Sequence, residues 1–369
     1  MAPNPMMSCF AVTSPGLEPL VEREVRALGV RSVRRDRGGV SFRATTRQLY
    51  AANAWLRVAS RVLVRVGEPF RARTWDQLID GFAALDLGPF VGAGATFRVS
   101  STRSRLYHTG AIAERLDSSV GGPGPTELVV RVVGDRVTVS ADASGHGLHR
   151  RGWRLAVGKA PLRETLAAAM VATAGWDGTV ALVDPFCGSG TVPIEAVLAA
   201  RGLPPGAERR FAFADWPGFE AGTWASVQGA MRAASATAAS RRTSAVLGSD
   251  RDRGAILAAA ANAQRAGVGA DVDFVERAVS DGAPPPSAAG AAGWVLSNPP
   301  YGSRLGGGDL RNLYARFGQV LRRSFPGWQV GLLVADPGLA RHTGLDLEER
   351  FSTSNGGLGV RFLTGRVPG

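Results

Sequence analysis

The stretch LVDPFCGSGTVPIEAVLAA, residues 182–200, has the pattern of a buried strand, a glycine-rich turn and a helix. Its first apolar run ends at Asp184, and after Gly188 and Gly190 the apolar residues return at helical spacing. Glycine lets the backbone approach a ligand closely at such a turn. The spacing is neither the glycine fingerprint of dinucleotide folds nor a phosphate loop with its lysine. The turn therefore favours a nucleoside-like cofactor with an amino-acid tail, and the alternative is a plain strand–helix connection.

Apolar runs alternate with helical patterns from about Thr179 onward. Near-continuous apolar strands joined by helical crossovers predict a mostly parallel sheet that is covered on both faces. A closing hairpin is predicted around Asn355-Gly356-Gly357. This part of the chain is therefore expected to be an α/β domain. The candidate strands are TVALVDPF, SAVLGSD, VDFVERAV, WVLSNPP and WQVGLLVAD, and helices are predicted at 252–265 and 310–324.

The N-terminal part alternates short strands and helices. Residues 9–66 give the order strand, helix, strand, helix, strand, which fits part of a ferredoxin-like α+β unit. A second small unit is predicted from about Phe70 to Asp142, and its last two strands form a hairpin that turns at Gly134-Asp135. An α+β module is therefore expected before the α/β domain.

The basic residues are concentrated in the N-terminal part. The chain has a formal net charge of +12 and a sequence pI of about 11.1. Residues 1–155 contain 22 basic and 13 acidic residues, whereas the remainder contains 21 and 18. Lys159 is the only lysine, and a compositional bias explains arginine over lysine but not the excess of positive charge. The N-terminal part is therefore the better candidate for holding nucleic acid.

Other classes of protein are disfavoured by what the sequence lacks. It has no apolar run of about eighteen residues and no signal-peptide pattern, so we expect a cytoplasmic protein without a membrane partner. Cys9 and Cys187 are far apart, which disfavours a disulfide framework and a zinc site. His146 and His149 are close together but lack a third ligand, so no metal is expected. We also expect a monomer.

A second acidic residue follows the next candidate strand. Asp250 ends SAVLGSD, at the position where enzymes with parallel sheets commonly hold ribose hydroxyls. A hydrogen bond from a hydroxyl to a carboxylate is charge-assisted and therefore stronger than a neutral one. Asp252 instead fits the cap of the following helix. Asp250 and the glycine turn together predict a nucleoside site at one edge of the sheet.

A rigid tetrapeptide, Asn298-Pro299-Pro300-Tyr301, follows the fourth candidate strand. Two consecutive prolines can neither donate to a sheet ladder nor enter a helix interior. The asparagine oxygen and a backbone carbonyl fixed by the prolines are acceptors for an exocyclic NH2 group, whose lone pair they can orient toward an electrophilic methyl group. Tyr301 can stack on the base that carries this amine. The alternative is a turn without a function.

Several motifs resemble one family. DPFCGSGTVPIEA, GSD and SNPPYGSRLG resemble the amino-directed class of methyltransferases that depend on S-adenosylmethionine (SAM). GHGLHRRGWRLAVGKAPLRETLAAAMV, residues 145–171, resembles the junction in THUMP-domain RNA guanine-N2 methyltransferases, and SPGLEPLVEREVRALG resembles their ferredoxin-like segment. The resemblance covers nearly the whole chain and is closest to the bacterial large-subunit rRNA enzymes. NPPY alone also occurs in methyltransferases that act on DNA, protein and small molecules.

The resemblance implies an architecture. A Rossmann-like class I methyltransferase domain with a mostly parallel seven-stranded sheet follows a ferredoxin-like plus THUMP α+β module. The expected divisions are 1–69 for the ferredoxin-like domain, 70–145 for the THUMP domain, 146–178 for a linker and cofactor-closing segment, and 179–369 for the methyltransferase domain.

The resemblance also implies roles for single residues. LHRRGWR bridges the domains, and its Arg150, Arg151 and Arg154 either contact phosphates or are solvated. Pro161 and Thr165 belong to a segment that closes over the cofactor, and Asp250 holds the ribose. The other implied residues are Asp184, Gly188, Gly190 and Thr191 for the cofactor, and Asn298, Pro299 and Tyr301 for the target guanine.

The chain departs from the family pattern at one expected contact. Related sequences often place an acidic residue after the third strand, where it meets the adenine amine, but here Ala278 stands at that position. Either Asp281 takes over this contact, or Ser280 or a backbone group does. The RNA-binding unit also looks short, and the second methyltransferase domain that some bacterial relatives carry at the C-terminus is not expected here.

Together with the resemblance, these residues predict transfer of a methyl group from SAM to the exocyclic N2 of a guanine in RNA, with 23S rRNA as the favoured substrate. A tRNA guanine-N2 methyltransferase of the same architecture is the nearest alternative. A DNA amino-methyltransferase fits less well, because the N-terminal resemblance has no place in it. A non-catalytic RNA-binding or ribosome-assembly factor is the alternative from another class.

Overall fold

The computed structural model describes residues 6–155, 162–288, 290–301 and 310–369. The chain packs into two compact units, and each is built from separated segments. None of the helices in the described ranges is long and apolar enough to cross a membrane. The first unit contains the chain up to Thr13, Val21–Leu148 and Arg209–Gly229, and the second contains Ser14–Leu20, His149–Glu208 and Ala230–Gly369.

The first eight strands form one sheet in the order β2-β3-β1-β4-β8-β7-β6, with the short β5 paired to β8. β6 and β7 are parallel, and the other neighbours are antiparallel. The predicted hairpin at Gly134-Asp135 is confirmed as β7 and β8. The elements are β1 (Met7–Val12), α1 (Glu18–Ala27), β2 (Val33–Asp36), β3 (Gly39–Ala44), α2 (Thr46–Trp55), β4 (Arg61–Arg65), β5 (Phe70–Arg71), α3 (Trp75–Ala83), β6 (Ala95–Thr102), α4 (Thr109–Asp117), β7 (Thr126–Val133) and β8 (Arg136–Asp142).

An aromatic cluster completes the first unit. The fully buried ring of Tyr50, on α2, stacks on Phe213 with a centroid distance of 4.1 Å, and Phe213 meets Trp224 edge-on at 5.1 Å. Phe213 and Trp224 belong to residues 209–229, which follow most of the unit in sequence. Offset and edge-to-face aromatic pairs stabilise a core beyond the area that they bury. This later segment is therefore part of the core of the first unit.

The second sheet has the order β11-β10-β9-β12-β13-β15-β14. The five strands from β11 to β13 are parallel, and β15 is antiparallel to both β13 and β14. The five predicted strands and the closing hairpin are thus confirmed. The elements are α5 (Glu164–Ala174), β9 (Ala181–Asp184), α6 (Thr191–Ala200), α7 (Ala221–Ser240), β10 (Val246–Asp250), α8 (Arg253–Arg265), β11 (Val272–Glu276), β12 (Gly293–Ser297), α9 (Leu310–Ser324), β13 (Gln329–Val334), α10 (Pro337–Arg341), β14 (Leu347–Asn355) and β15 (Leu358–Arg366).

This topology confirms the predicted α/β fold class and locates a site. The strand order changes direction between β9 and β12, which are parallel neighbours. In open α/β sheets, ligands bind outside the carboxyl ends of the strands at such a switch point. Asp184 ends β9, Asp250 ends β10, and Asn298 directly follows β12. The candidate residues from three strands therefore share one edge of the sheet.

Helix α9 provides a test of how tightly the second unit is packed. A methyl group on Gly318 would lie far inside contact distance of the Thr343 carbonyl group, whereas one on the exposed Gly222 of α7 would meet nothing within 4 Å. We expect Gly318→Ala to destabilise the protein by about 1–3 kcal/mol through overpacking. Gly222→Ala should be neutral or stabilising by up to about 1 kcal/mol, because alanine favours helix. Chemical unfolding of both variants measures this, and equal stabilities would contradict the packing.

Candidate active site

The glycine turn is closed by its own backbone. The Gly190 N–H donates to the Cys187 carbonyl at 2.8 Å, and Gly190 has a φ of +82°. A Cβ at Gly190 would lie 2.9 Å from the Phe274 ring and 3.1 Å from Ala259, so no larger residue fits without displacing them. Gly188 has a φ of +51°, but a Cβ there would meet nothing within 4 Å among the described residues. The turn is tight on one side and open at Gly188.

Asp250 ties the end of β10 to this turn. One oxygen of its carboxylate accepts the Gly188 N–H at 3.1 Å, and the other accepts the Asp252 N–H at 3.0 Å. Its side chain is half-buried, so the carboxylate remains within reach of a ligand. Asp252 caps α8 by accepting the Gly254 N–H at 2.7 Å, which confirms the role predicted for it. Asp250 thus lies beside the open face of the glycine turn.

Asp184 is buried where β9 and β12 meet. Its carboxylate is 1% exposed and accepts hydrogen bonds from the Ser297 hydroxyl at 2.5 Å and from the Phe186 N–H at 3.1 Å. Burial raises the pKa of Asp184 to about 7, because the loss of water outweighs these two hydrogen bonds and Asp250 adds a like charge. The side chain therefore joins two strands across the switch point.

The proline-rich turn after β12 is fixed by two residues that the sequence patterns did not single out. Tyr314 of α9 donates its hydroxyl to the Pro300 carbonyl at 3.3 Å, and the Asn355 amide donates to the Tyr301 hydroxyl oxygen at 3.1 Å. Pro299 is buried, and Tyr301 is only 2% exposed. Stacking of a base on Tyr301 remains a prediction, and it requires a face of this ring to be uncovered.

Asn298 is the least satisfied polar residue of this turn. The residue is half-buried, and its side-chain oxygen is enclosed without a hydrogen-bond partner among the residues that the structure describes. A buried polar atom without a partner costs about 1–3 kcal/mol, so such atoms are rare in folded proteins and call for a physical explanation. The oxygen can accept a hydrogen bond from an amine that enters the site.

Arg151 and Arg154 are buried in ion pairs, so both alternatives weighed above, contact with phosphates and a solvated state, are wrong for them. Arg151 lies 3.2 Å from Glu195 of α6, with side chains 2% and 0% exposed. Arg154 lies 3.2 Å from Glu164 and donates to the Thr191 hydroxyl at 2.7 Å. Burial raises the pKa of Glu164, and Arg154 opposes this rise. Arg150 is exposed.

The segment implied to close over a cofactor lies only partly within the described residues. Pro161 lies outside the described residues, whereas Thr165 is buried on α5 with 8% exposure. Arg154 also donates to the Leu162 carbonyl at 2.7 Å. Arg154 therefore links Leu162, which lies between Pro161 and Thr165, to Thr191, the first residue after the glycine turn. The buried ion pairs therefore fix α5 and α6 relative to the residues at 151–154.

The residues considered for the adenine contact lie in a short 3-10 turn, Val279–Asp281. Asp281 and Ala278 are exposed, and the Ser280 carbonyl accepts a hydrogen bond from Arg323 at 3.0 Å. The Arg277 N–H donates to the Asp250 carbonyl at 2.9 Å, so this turn begins beside the end of β10. The choice between Asp281, Ser280 and a backbone group stays open as a prediction.

The strand order and the glycine turn define a methyltransferase fold, and comparison with known proteins places the chain more narrowly. Residues 151–362 match the RMKL-like methyltransferase domain, and residues 8–63 match the RlmL ferredoxin-like domain. The chain belongs to the RMKL-like methyltransferase family. The resemblance to the bacterial large-subunit rRNA enzymes, inferred from the motifs, is thereby confirmed.

Individual relatives agree with this assignment. The chain is 37% identical over 377 residues to the ribosomal RNA large subunit methyltransferase K/L of Syntrophotalea carbinolica, with 96% of this chain and 53% of that protein aligned. It therefore spans about half the length of this curated relative.

Solved structures resemble the chain over nearly its whole length. One, from Listeria monocytogenes and named a "predicted N6-adenine-specific DNA methylase", is 31% identical with a TM-score of 0.86 and covers 97% of this chain and 96% of its own. SMU.472, crystallised with SAH, is 28% identical with a TM-score of 0.86 and covers 99% and 98%.

The raised pKa of Asp184 has a consequence for stability. The ordinary pKa of this carboxyl group is 3.8, and its pKa in the folded protein is about 7. Its contribution to the free energy of unfolding is therefore fully present below the ordinary pKa and is lost as the pH rises through about 7. Asp184→Asn removes this loss. Between about pH 5 and pH 8, the stability of the variant relative to wild type should increase by on the order of 2 kcal/mol.

Chemical unfolding at each pH tests this expectation. Asp177→Asn is the matched control, because hydrogen bonds from Thr179 lower the pKa of the exposed Asp177 and leave it ionised in both states over this range. Its stability relative to wild type should not change with pH. A constant difference for Asp184→Asn as well would contradict the raised pKa.

Proposed function

We propose that this chain is a SAM-dependent methyltransferase that modifies the exocyclic N2 of a guanine in RNA, with large-subunit rRNA as the favoured substrate. The family supports methyl transfer, and the name of the curated relative supports rRNA. The observation that favours an amine as the target is the enclosed oxygen of Asn298, which has no hydrogen-bond partner among the residues that the structure describes. It lies one residue after Ser297, whose hydroxyl bonds the strand that leads into the glycine turn.

The residues present fit SAM. The turn has open space at Gly188, and the half-buried Asp250 carboxylate lies beside it. Asp250 would accept the ribose hydroxyls, while the backbone at Gly188 and Gly190 would lie against the amino-acid part. Thr165 and Thr191 lie on the adjoining helices α5 and α6. When bound, SAM supplies an electrophilic methyl group on a sulfonium centre.

The work of the protein residues is to position the base. The lone pair of an aryl amine is conjugated into its ring, which makes the amine a weak nucleophile. Asn298 accepts one amine hydrogen, and a carbonyl of the proline pair accepts the other, so that the lone pair is aimed at the methyl group. Tyr314 holds the Pro300 carbonyl in place. A guanine reaches this pocket only when it is flipped out of its stack.

DNA remains a second candidate substrate because the Listeria structure bears the name of a DNA adenine methylase and the tetrapeptide alone does not distinguish nucleic acids. Incubation of the chain with radiolabelled SAM and separate pools of rRNA, tRNA and DNA tests the proposal. Label in rRNA, mapped to N2-methylguanine, is the expected result. Label only in tRNA or DNA would overturn the substrate, and no SAM binding would favour a non-catalytic RNA-binding factor.

Asp250 should be required for cofactor affinity. We expect Asp250→Ala to weaken SAM binding by roughly 1.5–3 kcal/mol, the scale of a hydrogen bond to a charged group. Asp252→Ala is the matched control. It removes a helix cap and should lower stability by about 1 kcal/mol but leave the affinity for SAM unchanged. Isothermal calorimetry measures both, and wild-type affinity in Asp250→Ala would remove this carboxylate from the site.

Asn298 should be required for transfer but not for cofactor binding. We expect Asn298→Ala to lower the turnover of methyl transfer by about 100-fold or more, as loss of a positioned polar group at a reacting centre does. Its affinity for SAM should stay within twofold of wild type, because residues that do not contact one another usually change each other's binding free energies by only roughly 0.4 kcal/mol. Asn312→Ala changes an exposed asparagine on α9 and should leave both unchanged. Normal turnover in Asn298→Ala would refute the assignment.

A further inference from the structure

The hairpin of β14 and β15 turns at the same edge of the second sheet as the candidate site. Because β13 and β14 are both antiparallel to β15, β14 runs parallel to β13, and β13 in turn runs parallel to β12. The carboxyl ends of β12 and β14 therefore lie at one edge of the sheet. Asn298 directly follows β12, and Asn355 is the last residue of β14.

The position of Asn355 is fixed by the hairpin itself. Asn355 pairs with Leu358 across a two-residue turn, Gly356-Gly357, whose φ values are +60° and +87°. Turns with positive φ at both central positions match the twist of a hairpin, and glycine adopts them without steric cost. The second strand of the hairpin, β15, is also paired with β13, which ties the hairpin to the parallel strands. Asn355 is therefore carried by a rigid element.

The buried face of β14 becomes polar toward this edge of the sheet. Phe351 and Asn355 are buried. Ser352 and Ser354, which lie between them, are exposed, as expected from the alternation of side chains along a strand. A buried amide is costly unless it is hydrogen-bonded. Asn355, which is 7% exposed, makes such a bond by donating its side-chain N–H to the Tyr301 hydroxyl oxygen at 3.1 Å.

The proline-rich turn is thus held from two sides. Tyr301 is 2% exposed and is bonded to Asn355 of β14. Tyr314 of α9 lies nearby, because burial and then the proximity of Tyr301 and Asp336 raise the pKa of Tyr314. Tyr314 donates its hydroxyl to the Pro300 carbonyl at 3.3 Å. Two elements, α9 and β14, therefore hold consecutive residues of the turn.

Asn298 lies between fixed points on both sides. Before it, the Ser297 hydroxyl donates to Asp184 at 2.5 Å. After it, Pro300 and Tyr301 are held by α9 and β14, and the rings of the two prolines fix φ in between. None of these contacts uses the Asn298 oxygen, which has no hydrogen-bond partner in the described parts of the chain. A polar group acts best on reacting atoms when surrounding contacts fix its position beforehand.

We propose that Asn355 is a positioning residue for methyl transfer: through the Tyr301 hydroxyl, it fixes the turn that presents Asn298 to the target amine. The proposal rests on the proposed function, since it takes an amine as the methyl acceptor. Tyr301 serves here as an anchor through its hydroxyl group, whereas stacking on a base uses the face of its ring. The two roles give opposite expectations for removal of the hydroxyl group.

The kinetics of methyl transfer test the role of Asn355. The acceptor is whichever of the rRNA, tRNA and DNA pools the wild-type chain labels. Asn355→Ala should lower turnover by about 10- to 100-fold, because misplacement of a reacting group by about 1 Å can cost about 100-fold. The KM for the nucleic acid and the affinity for SAM should stay within about twofold of wild type, since Asn355 acts only through Tyr301. Unchanged turnover, or a loss confined to KM, would refute the role.

Tyr301→Phe separates anchoring from stacking. It keeps the aromatic ring but removes the acceptor of the Asn355 hydrogen bond. Anchoring predicts a loss of turnover similar to that of Asn355→Ala, whereas stacking alone predicts wild-type turnover. The double variant N355A/Y301F should stay within about twofold of the slower single variant, because both changes remove the same interaction. Losses that multiply in the double variant would show that the two residues act independently, against the proposal.

Ser354→Ala is the matched control. Ser354 directly precedes Asn355 on β14, is exposed, and points to the opposite face of the sheet. Its replacement should leave turnover, KM and the affinity for SAM unchanged. An equal loss of turnover in Ser354→Ala would mean that any change in the hairpin impairs transfer, which would contradict a specific role for Asn355. All assays are run well below the midpoint of thermal unfolding of each variant.

Thermal unfolding provides a readout that does not depend on methyl transfer. Asn355→Ala should lower the midpoint by roughly 2–4 °C, the shift expected for the loss of one hydrogen bond. The shift should be at most about half as large when residue 301 is already changed by Tyr301→Phe. A shift of full size in that background would overturn the Asn355–Tyr301 contact.

Failure of this proposal is therefore distinct from failure of the proposed function. If the wild-type chain methylates a nucleic acid and Asn355→Ala does so at the same rate, the positioning role fails and the proposed function stands. If the wild-type chain labels none of the pools, the proposed function fails and the positioning role fails with it. The unfolding data then still decide whether Asn355 anchors Tyr301.

Discussion

The hydrogen bond from Ser297 to the buried carboxylate of Asp184 is the contact on which the candidate site depends. It joins β9 to β12 at the point where the strand order changes direction. The glycine turn follows one of these strands, and Asn298 follows the other. A buried carboxylate is costly, and the raised pKa of Asp184 expresses that cost. The hydrogen bond holds the ends of β9 and β12, which are more than a hundred residues apart in sequence, together at one edge of the sheet.

Buried ion pairs provide a second layer of support behind this edge. Arg151 pairs with Glu195, and Arg154 connects Glu164, Thr191 and the Leu162 carbonyl. Ion pairs removed from water seldom add stability relative to apolar residues, but loss of one partner typically costs about 3–5 kcal/mol. Their contribution here is therefore positional. They fix the start of α5 and the first turn of α6. Helix α6 follows the glycine turn, and α5 packs against α6.

The sequence was sufficient for the elements and for part of the site. Parallel strands buried on both faces leave near-continuous apolar runs, so β9, β10, β12 and β13 could be recognised directly, whereas the edge strand β11 is partly exposed. The cap at Asp252 was predictable because it is a local interaction between residues two or three positions apart. The partners of Arg151 and Arg154 were not, because a buried arginine and a solvated one have the same local sequence. The stacking of Tyr50 on Phe213 joins residues more than 160 positions apart, and no periodic pattern signals it.

The arginines near the candidate site fall into two groups, one buried in ion pairs and one exposed to solvent. In the second unit, Arg151 and Arg154 are paired with glutamates, whereas Arg251 and Arg253, which follow Asp250, are exposed. The carboxylates, the amide and the hydroxyls at this edge of the sheet can orient an amine and hold a ribose. Flipping a base out of its stack costs a few kcal/mol, which must be offset by contacts elsewhere on the nucleic acid. Exposed arginines are the groups that can make such contacts, since phosphate contacts dominate affinity for nucleic acids. The proposed reaction would therefore need both kinds of group, polar side chains that orient the amine and exposed arginines that hold the phosphates.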